Sequence, residues 1–319
     1  MSAKAPHPLG LITHPDCLLH DNGPGHPESP RRLSVVRGRL EADVVRAGRG
    51  AWLDAPLVSD DDVLRVHTEA HLARLVGTDA AGGGWLDPDT HLGRGSLSAV
   101  RRAAGAAVYA AERAMKKEGP SFCAVRPPGH HATPSRAMGF CMLSNVAIAA
   151  AAALARLGAE RVLIVDWDVH HGNGTADCVR EEPRIRYVSL HQWPWYPGTG
   201  LAEDTGCGNL FHVPRGPGLP AERYVADILD AVDRAVDGWR PSLVIHSAGF
   251  DALRGDPLGG FTLLADDYAT ITRGIASRAA GAPACSVLEG GYDPENVAEA
   301  AVAHVHALAD AAMLDMVRT

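Results

Sequence analysis

The sequence has no run of basic residues. Its 319 residues carry 30 Lys and Arg against 38 Asp and Glu, a formal net charge of -8. The basic residues cluster no further than pairs such as Lys116 and Lys117. A protein that binds a nucleic-acid backbone normally carries a basic patch, so we expect no nucleic-acid partner. The acidic surplus is compatible with a cationic substrate.

The sequence also lacks a long hydrophobic run and paired cysteines. Its most apolar stretch, residues 146–157, is mostly Ala and is shorter than the roughly 20 residues that span a bilayer. The first ten residues contain no hydrophobic signal segment. The six cysteines are scattered and form no Cys-x-x-Cys pair, which is typical of reduced thiols. We therefore expect a cytoplasmic protein without a membrane partner.

Three common catalytic or cofactor motifs are missing. There is no Gly-x-Ser-x-Gly, so a serine nucleophile on an α/β-hydrolase turn is unsupported. Neither a Walker A motif nor Gly-x-Gly-x-x-Gly occurs, so no cradle for a nucleotide is visible.

Short apolar runs alternate with longer Ala-rich and Leu-rich stretches of helical periodicity. The strand-like runs are residues 9–12, 122–125, 162–165, 186–190, 243–245 and 285–288, and helices are expected at 96–117, 145–157, 221–236 and 264–279. This alternation predicts an α/β fold with a mainly parallel sheet between two helical layers. Without a repeat or linker, we expect one catalytic domain over residues 1–319.

Five of these strands are followed at once by polar motifs. In open α/β sheets the carboxyl edge of the strands is where ligands bind. Five motifs at that edge predict a functional site there. They are RPPGHH at 126–131, DWDVHHGNGT at 166–175, SLHQ at 189–192, SAGFDA at 247–252 and EGGY at 289–292.

The second motif has the residue types of a metal site. In an extended segment alternate residues face one side, so Asp166, Asp168 and His170 point together. A catalytic zinc site uses three protein ligands and keeps a position open for water. Asp256 is the strongest candidate for the third ligand, and Asp251 is the second. The plain alternative is a carboxylate that caps backbone amides beside a hydrogen-bonded histidine.

The other motifs supply acid–base groups. His130 and His131 offer a general base and a proton donor, each oriented by a partner such as Asp166 or Asn173. Tyr292 follows two glycines, and its phenol stays protonated at neutral pH and can donate to a developing oxyanion. Metal, water, histidines and a phenol are the equipment of metal-assisted amide hydrolysis.

The chain resembles the histone deacetylase and acetylpolyamine amidohydrolase superfamily, which has the arginase-like α/β fold. The resemblance covers nearly the whole chain, and its combined motifs are very specific. They are HPESPRRL at 26–33, VHTEAHL at 66–72, DPDT at 87–90, RPPGHHA at 126–132, MGFC at 138–141, DWDVHHGNGT, SLHQ, WYPGTG at 195–200, SAGFDA and LEGGY.

The resemblance implies one catalytic Zn²⁺ per chain and a deacylase that removes acetyl or other acyl groups from an amine such as acetyl-lysine. The implied ligands are Asp168, His170 and Asp256. His131 would be the general base, and His130 would assist electrostatically or protonate the leaving amine.

The resemblance further implies that Asp166 pairs with His130 and that Tyr292 polarises the acyl carbonyl. It also implies two more sets of residues, one around the substrate and one around a structural K⁺. The substrate channel would involve Gly139, Phe140, Tyr196, Leu263 and Gly290, and the cation would use Asp166, Asp168, His170, Ser189 and Leu190.

Two details refine the resemblance. Asn173 stands where class I members carry Asp, and the wording of the motifs is closer to class II and bacterial homologues. Trp193 and Trp195 crowd the loop that leads to Tyr196, where they would narrow the channel or give it a hydrophobic rim. A site of two carboxylates and one histidine would also accept Fe²⁺ or Co²⁺.

Two rival functions are less favoured. A binuclear manganese ureohydrolase would need further acids to bridge a second ion, whereas the 166–170 segment has Trp167 at one of its positions. A scaffold that binds acylated ligands without turnover would be expected to lose a ligand or the phenol. The motifs leave open whether the substrate is a protein, an acetylpolyamine or a small metabolite, and they leave the oligomeric state open.

Overall fold

A parallel sheet of eight strands forms the centre of the computed structural model, which describes the backbone of residues 9–318 and the side chains of residues 9–313. The strands lie in the order β2-β1-β5-β10-β9-β6-β7-β8, and every neighbouring pair is parallel. Their bounds are β1 Leu9–Thr13, β2 Gly50–Asp54, β5 Ser121–Cys123, β6 Val162–Asp166, β7 Ile185–Gln192, β8 Leu210–Arg215, β9 Leu243–Ala248 and β10 Ala284–Leu288. A separate antiparallel hairpin contains β3 Gly84–Asp87 and β4 Thr90–Leu92.

Helices flank the sheet, and the predicted α/β architecture is confirmed. Helices α8 and α9 pack on each other and on α7 and α1, whereas α4 packs on α5 and α3. The helices are α1 Pro30–Leu40, α2 Asp60–Val63, α3 Glu69–Ala80, α4 Ser96–Met115, α5 Asn145–Arg156, α6 Asn173–Val179, α7 Ala221–Val236, α8 Ala265–Arg278 and α9 Pro294–Arg318. Two short helical segments, Pro15–Leu18 and Glu41–Val45, complete the elements.

The central strands are buried on both faces, which explains their continuous apolar runs. All five residues of β6 are buried, as are all six of β9. The two edge strands, β2 and β8, were not predicted from the sequence because they contain fewer apolar residues in a row. β2 is only partly buried, and β8 contains Pro214, a residue tolerated at a sheet edge where no ladder hydrogen bond is needed.

Within the described part of the chain, no helix is long and apolar enough to cross a membrane. Residues 1–8, which belong to the predicted domain and to the segment inspected for a signal, lie outside the described residues.

Candidate active site

The five polar motifs meet at one edge because the strands that precede them are neighbours. Strands β5, β10, β9, β6 and β7 are consecutive in the sheet. The parallel arrangement brings all five carboxyl ends to the same side. The structure therefore gathers at one place the loops that the sequence predicted to form a site.

Asp168, His170 and Asp251 form a buried cluster at this edge. Their ligand atoms lie within 4.8 Å of one another. The Nδ1 atom of His170 lies 3.1 Å from Oδ1 of Asp168 and 3.2 Å from Oδ2 of Asp251. Both carboxylates are fully buried. Two carboxylates and one imidazole thus converge on a single point.

The local backbone fixes these side chains. The amide of His170 donates to Asp168 Oδ1 at 2.9 Å, and the amide of Val169 donates to Asp251 Oδ1 at 2.7 Å. Trp167, on the opposite side of the strand tip, is fully buried. The alternation predicted for this segment is therefore present, with its polar side chains on the site face.

Two glycines make room for the carboxylates. A Cβ atom added at Gly249 would collide with Asp168, and one added at Gly290 would lie 2.6 Å from Oδ2 of Asp168 and closer still to Asp251. The amide of Gly290 donates to Asp168 Oδ2 at 2.9 Å. Gly290, predicted to lie near the substrate, packs directly against the acidic cluster.

Asp256, the first candidate for the third ligand, is buried beside this cluster, where burial raises its pKa and the charge of Asp168 acts in the same direction. Its Oδ1 accepts the amide of Leu258 at 2.9 Å, and its Oδ2 accepts the amide of Tyr292 at 2.7 Å. The carboxylate is held by backbone donors and positions the Tyr292 loop. Asp256 stays the first prediction for the third ligand, and Asp251, whose Oδ2 lies 3.2 Å from His170 Nδ1, stays the second.

The two adjacent histidines have opposite electrostatic environments. Burial opposes a charge on His130, but Asp168 and Asp166 outweigh it and raise its pKa to about 10. Burial lowers the pKa of His131, and nearby His130 lowers it further, so its pKa lies well below the ordinary value. His131 is thus a neutral base beside a positively charged partner.

Each histidine is oriented by the partner expected from the sequence. The Nδ1 atom of His130 lies 3.1 Å from Asp166 Oδ2, which also accepts the Tyr187 hydroxyl at 2.8 Å. The Nδ1 atom of His131 lies 2.8 Å from Asn173 Oδ1. Because that amide oxygen only accepts, Nδ1 of His131 carries the proton and its Nε2 is free to take one.

Glu289 anchors the histidine pair and was overlooked as a residue with a role of its own. Its Oε2 accepts the amides of Gly129 at 2.6 Å and His130 at 3.2 Å, and its Oε1 accepts the Ser247 hydroxyl at 3.0 Å. Glu289 also lies close to His130 and Cys141. Since these three donors occupy its oxygens, we assign Glu289 to backbone anchoring.

A second overlooked carboxylate, Glu28, links two loops of the site through buried arginines. It is fully buried, accepts from Arg126 at 2.6 Å and accepts from Arg32 at 3.0 Å. Arg126 begins the loop of the histidine pair, whereas Arg32 donates to the carbonyls of Glu289, at 2.7 Å, and Gly291. Burial opposes the charge of Glu28, but Arg126 holds its pKa well below the ordinary value.

The Glu28→Gln variant is expected to lose about 3–5 kcal/mol of unfolding free energy, because it leaves two buried guanidinium groups without their counter-charge. Urea denaturation measures the loss. The matched control is Glu295→Gln, whose partner Arg31 is 66% exposed and whose own side chain is 62% exposed; it should change stability by no more than about 0.5 kcal/mol. Equal effects of the two variants would contradict the buried network.

Tyr292 lies at the site, on the loop that follows β10. Its ring centroid lies 4.8 Å from the Arg32 guanidinium carbon and 6.0 Å from the Phe140 ring centroid. Burial raises the pKa of its phenol well above the ordinary value, against the opposing charge of Arg32. The phenol therefore keeps its proton and remains a hydrogen-bond donor.

Aromatic rings surround the cluster. The Tyr196 ring lies edge-on to His131 at 5.1 Å and to His170 at 6.2 Å between centroids. Phe140 has a φ of 67°, and the Thr90 hydroxyl accepts its amide at 3.0 Å. Gly139 precedes it with a φ of 56°, and a Cβ there would meet the His131 ring. Tyr196, Phe140 and Gly139 thus lie around the acid–imidazole cluster.

The remaining predicted positions are placed as follows. Leu263 is fully buried and forms a β-bridge with Leu253, two positions after Asp251. Ser189 is the register partner of Asp166 across β6 and β7, and its hydroxyl lies 3.0 Å from His191 Nδ1. Leu190 lies next to Ser189 in the same strand, where its carbonyl accepts the Tyr224 hydroxyl at 3.5 Å. Ser189 and Leu190 thus lie on the strand next to β6, with Ser189 opposite Asp166.

Comparisons with known proteins identify a family that the chain resembles over most of its length. The histone deacetylase domain matches residues 26–308. A probable deacetylase of Methanothermobacter thermautotrophicus is 38% identical, over 93% of this chain and 90% of its own. A histone deacetylase-like amidohydrolase of Pseudomonas aeruginosa is 38% identical, over 91% of this chain and 78% of its own.

A solved structure is similar as well. The crystal structure of the HDA15 HD domain has a TM-score of 0.90 and 33% sequence identity, and the match covers 95% of this chain and 90% of that chain. The fold and these matches define a hydrolase that acts on amide bonds. The chain belongs to the histone deacetylase family.

Proposed function

We propose that the protein is a zinc-dependent deacylase that hydrolyses an N-acyl amine such as acetyl-lysine or an acetylpolyamine. The observation that carries this proposal is the buried cluster of Asp168, His170 and Asp251, with Asp256 beside it, next to the neutral base His131. The proposed ligands are Asp168, His170 and Asp256, with Asp251 as the alternative third ligand. The names of the relatives, a deacetylase and an amidohydrolase, agree with such a substrate.

The residues of the cluster fit a divalent cation. Burial and the Asp168 carboxylate raise the pKa of Asp251 to about 7, which reflects negative charge in excess of what the buried site neutralises. The site is small because Gly249 and Gly290 contribute no side chain. Two carboxylates with one imidazole form a ligand set that Zn²⁺ accepts, as would Fe²⁺ or Co²⁺. When bound, such an ion supplies Lewis acidity and a water of lowered pKa.

The protein's own groups would divide the proton chemistry between them. The free Nε2 of His131 would take the proton of the attacking water, with Asn173 holding the ring in the correct tautomer. His130, positively charged beside Asp166, would stabilise negative charge or protonate the departing amine. The Tyr292 phenol would donate a hydrogen bond to the oxygen of the acyl carbonyl as charge develops on it.

The aromatic surroundings support an acyl chain as the group that enters. Phe140 and Tyr196 present rings close to the cluster, and Trp195, which is 46% exposed, donates to the carbonyl of Leu258 at 2.9 Å. Apolar walls favour a narrow aliphatic stem and disfavour charged groups. A structural K⁺ at Asp166, Asp168, His170, Ser189 and Leu190 and a cytoplasmic location belong to the same proposal.

The binuclear ureohydrolase finds less support. Among the described residues, the groups able to hold a metal include only one with two carboxylates, and the other contains Glu289, whose oxygens already accept three hydrogen bonds. A bridged pair of manganese ions would need more acids around the same point.

The test is to measure metal content and turnover together. Purified protein loaded with Zn²⁺ should bind about one ion per chain and release acetate from at least one substrate among acetyl-lysine peptides, N-acetylputrescine, N-acetylspermidine and longer acyl-lysines. Treatment with a chelator should abolish turnover, and added Zn²⁺ should restore it. Full metal occupancy without hydrolysis of any of these amides would favour a binding scaffold, and two manganese ions per chain would favour the ureohydrolase.

A further inference from the structure

A cavity of about 410 Å³ lies at the opposite end of the sheet from the active site. It is bordered by the first residues of β1, β9 and β10 and by the helices α8 and α9. Its walls are mainly aliphatic, with Leu9, Val244, Ile275, Ala276, Leu308 and Ala312 among them. This volume is in the range of pockets that hold small organic molecules.

One buried polar side chain, His246, borders the cavity. It is 2% exposed, and its Nε2 has no hydrogen-bond partner among the described residues. Its Nδ1 lies 2.9 Å from the Ser286 hydroxyl, which lies 2.9 Å from Nε2 of His304. The Nδ1 atom of His304 in turn lies 2.7 Å from the Thr272 hydroxyl.

The direction of each hydrogen bond in this series can be deduced by starting from the Thr272 hydroxyl at its end. The Thr272 hydroxyl donates its only proton to the carbonyl of Tyr268 at 2.7 Å, so it must accept from His304 Nδ1. Nε2 of His304 then carries no proton and accepts from Ser286. Because the Ser286 hydroxyl donates its only proton to His304, its oxygen accepts from His246 Nδ1.

His246 is therefore protonated on Nδ1, and its Nε2 is a bare acceptor. Burial lowers the pKa of His246 to about 3, so a proton from water does not fill this position at neutral pH. A buried acceptor without a partner costs free energy, which a donor supplied from the cavity would recover. Arg49, another lining residue, is already paired with Asp310 at 2.7 Å.

We propose that this cavity binds a small apolar molecule that carries one hydrogen-bond donor, such as a straight-chain alcohol. The aliphatic part lies against the α8 and α9 walls, and the hydroxyl donates to His246 Nε2. The site is separate from the catalytic cluster, since the Trp167 ring packs on His246 with 5.0 Å between centroids and lies behind the strand tip.

The test compares 1-hexanol with its isomer methyl pentyl ether, which has the same atoms but no donor. Isothermal titration calorimetry on the full chain should show the alcohol binding about tenfold more tightly than the ether, the worth of one buried hydrogen bond. In His246→Phe, which keeps a ring and removes the acceptor, the two affinities should become equal.

Two filling variants locate the site. Ala276→Phe and, at a second wall, Ala312→Phe should each abolish binding of 1-hexanol, whereas Ala73→Phe on the exposed face of α3 should leave it unchanged. Deacylation should be unaltered in all three. Equal affinities of alcohol and ether for the unmodified protein would overturn the assigned donor, and binding that survives both filling variants, or no binding at all, would overturn the site.

Discussion

The Asp256→Ala variant is expected to lose its bound zinc and nearly all of its turnover. Removing one of three ligands leaves two, Asp168 and His170, too few to hold the ion in a catalytic site. Zinc content should fall from about one ion per chain to near zero. We expect kcat/KM to fall by about 10³-fold or more, which corresponds to about 4 kcal/mol of transition-state stabilisation. Elemental analysis and turnover of an acetyl-lysine peptide measure the two effects.

The matched variant is Asp251→Ala on the same loop. Its carboxylate accepts the amide of Val169 at 2.7 Å and lies 3.2 Å from His170 Nδ1, so with Asp256 as the ligand it serves to orient His170. Asp251→Ala should therefore keep most of its zinc and lose activity through a less well-held His170, by about 10- to 100-fold. The reverse pattern, with zinc lost in Asp251→Ala and kept in Asp256→Ala, would make Asp251 the ligand.

The sequence could predict where the site lies but not which of these two acids completes it. The apolar runs predicted the central strands, and the polar motifs that follow five of them in sequence predicted the edge of the sheet at which the site lies. Asp251 and Asp256 lie five positions apart in one irregular loop, where no periodicity relates position to direction. The choice depends on the turn after β9, which directs Asp251 to the amide of Val169 and Asp256 to the amide of Tyr292.

The burial and pairing of the carboxylates beneath the site could not be predicted from the sequence for a related reason. Glu28 lies in a stretch of polar and Pro residues that is typical of an exposed turn before a helix, yet it is fully buried between Arg32 and Arg126. Its partners are 4 and 98 positions away. The first spacing is that of a helical pair, whereas the second arises only when the chain has folded. The sequence did offer one signal, because Glu28 is the single acid in HPESPRRL, a motif that resembles one of the family. The motif alone does not indicate what this acid does.

Tyr292→Phe is expected to retain its zinc and to lose activity by about 10²- to 10³-fold, the worth of about 2.7–4 kcal/mol of oxyanion stabilisation. The ring would keep its contacts with Arg32 and Phe140, so only the donor is removed. Because the phenol would bond most strongly to charge that develops in the transition state, the loss should fall on kcat with KM little changed.

Tyr196→Phe is the matched control. It removes a phenol from a ring that also faces the cluster, at 5.1 Å from His131, but to which no role in stabilising the oxyanion is assigned. Its kcat should stay within a few-fold of the unmodified protein, which would separate the effect of a phenol at the carbonyl from that of any hydroxyl lost near the site. Metal content, kcat and KM are measured on the same preparations. Were Tyr292→Phe as active as the unmodified protein, the oxyanion would have to be held by another donor, and positively charged His130 is the group best placed to take that role.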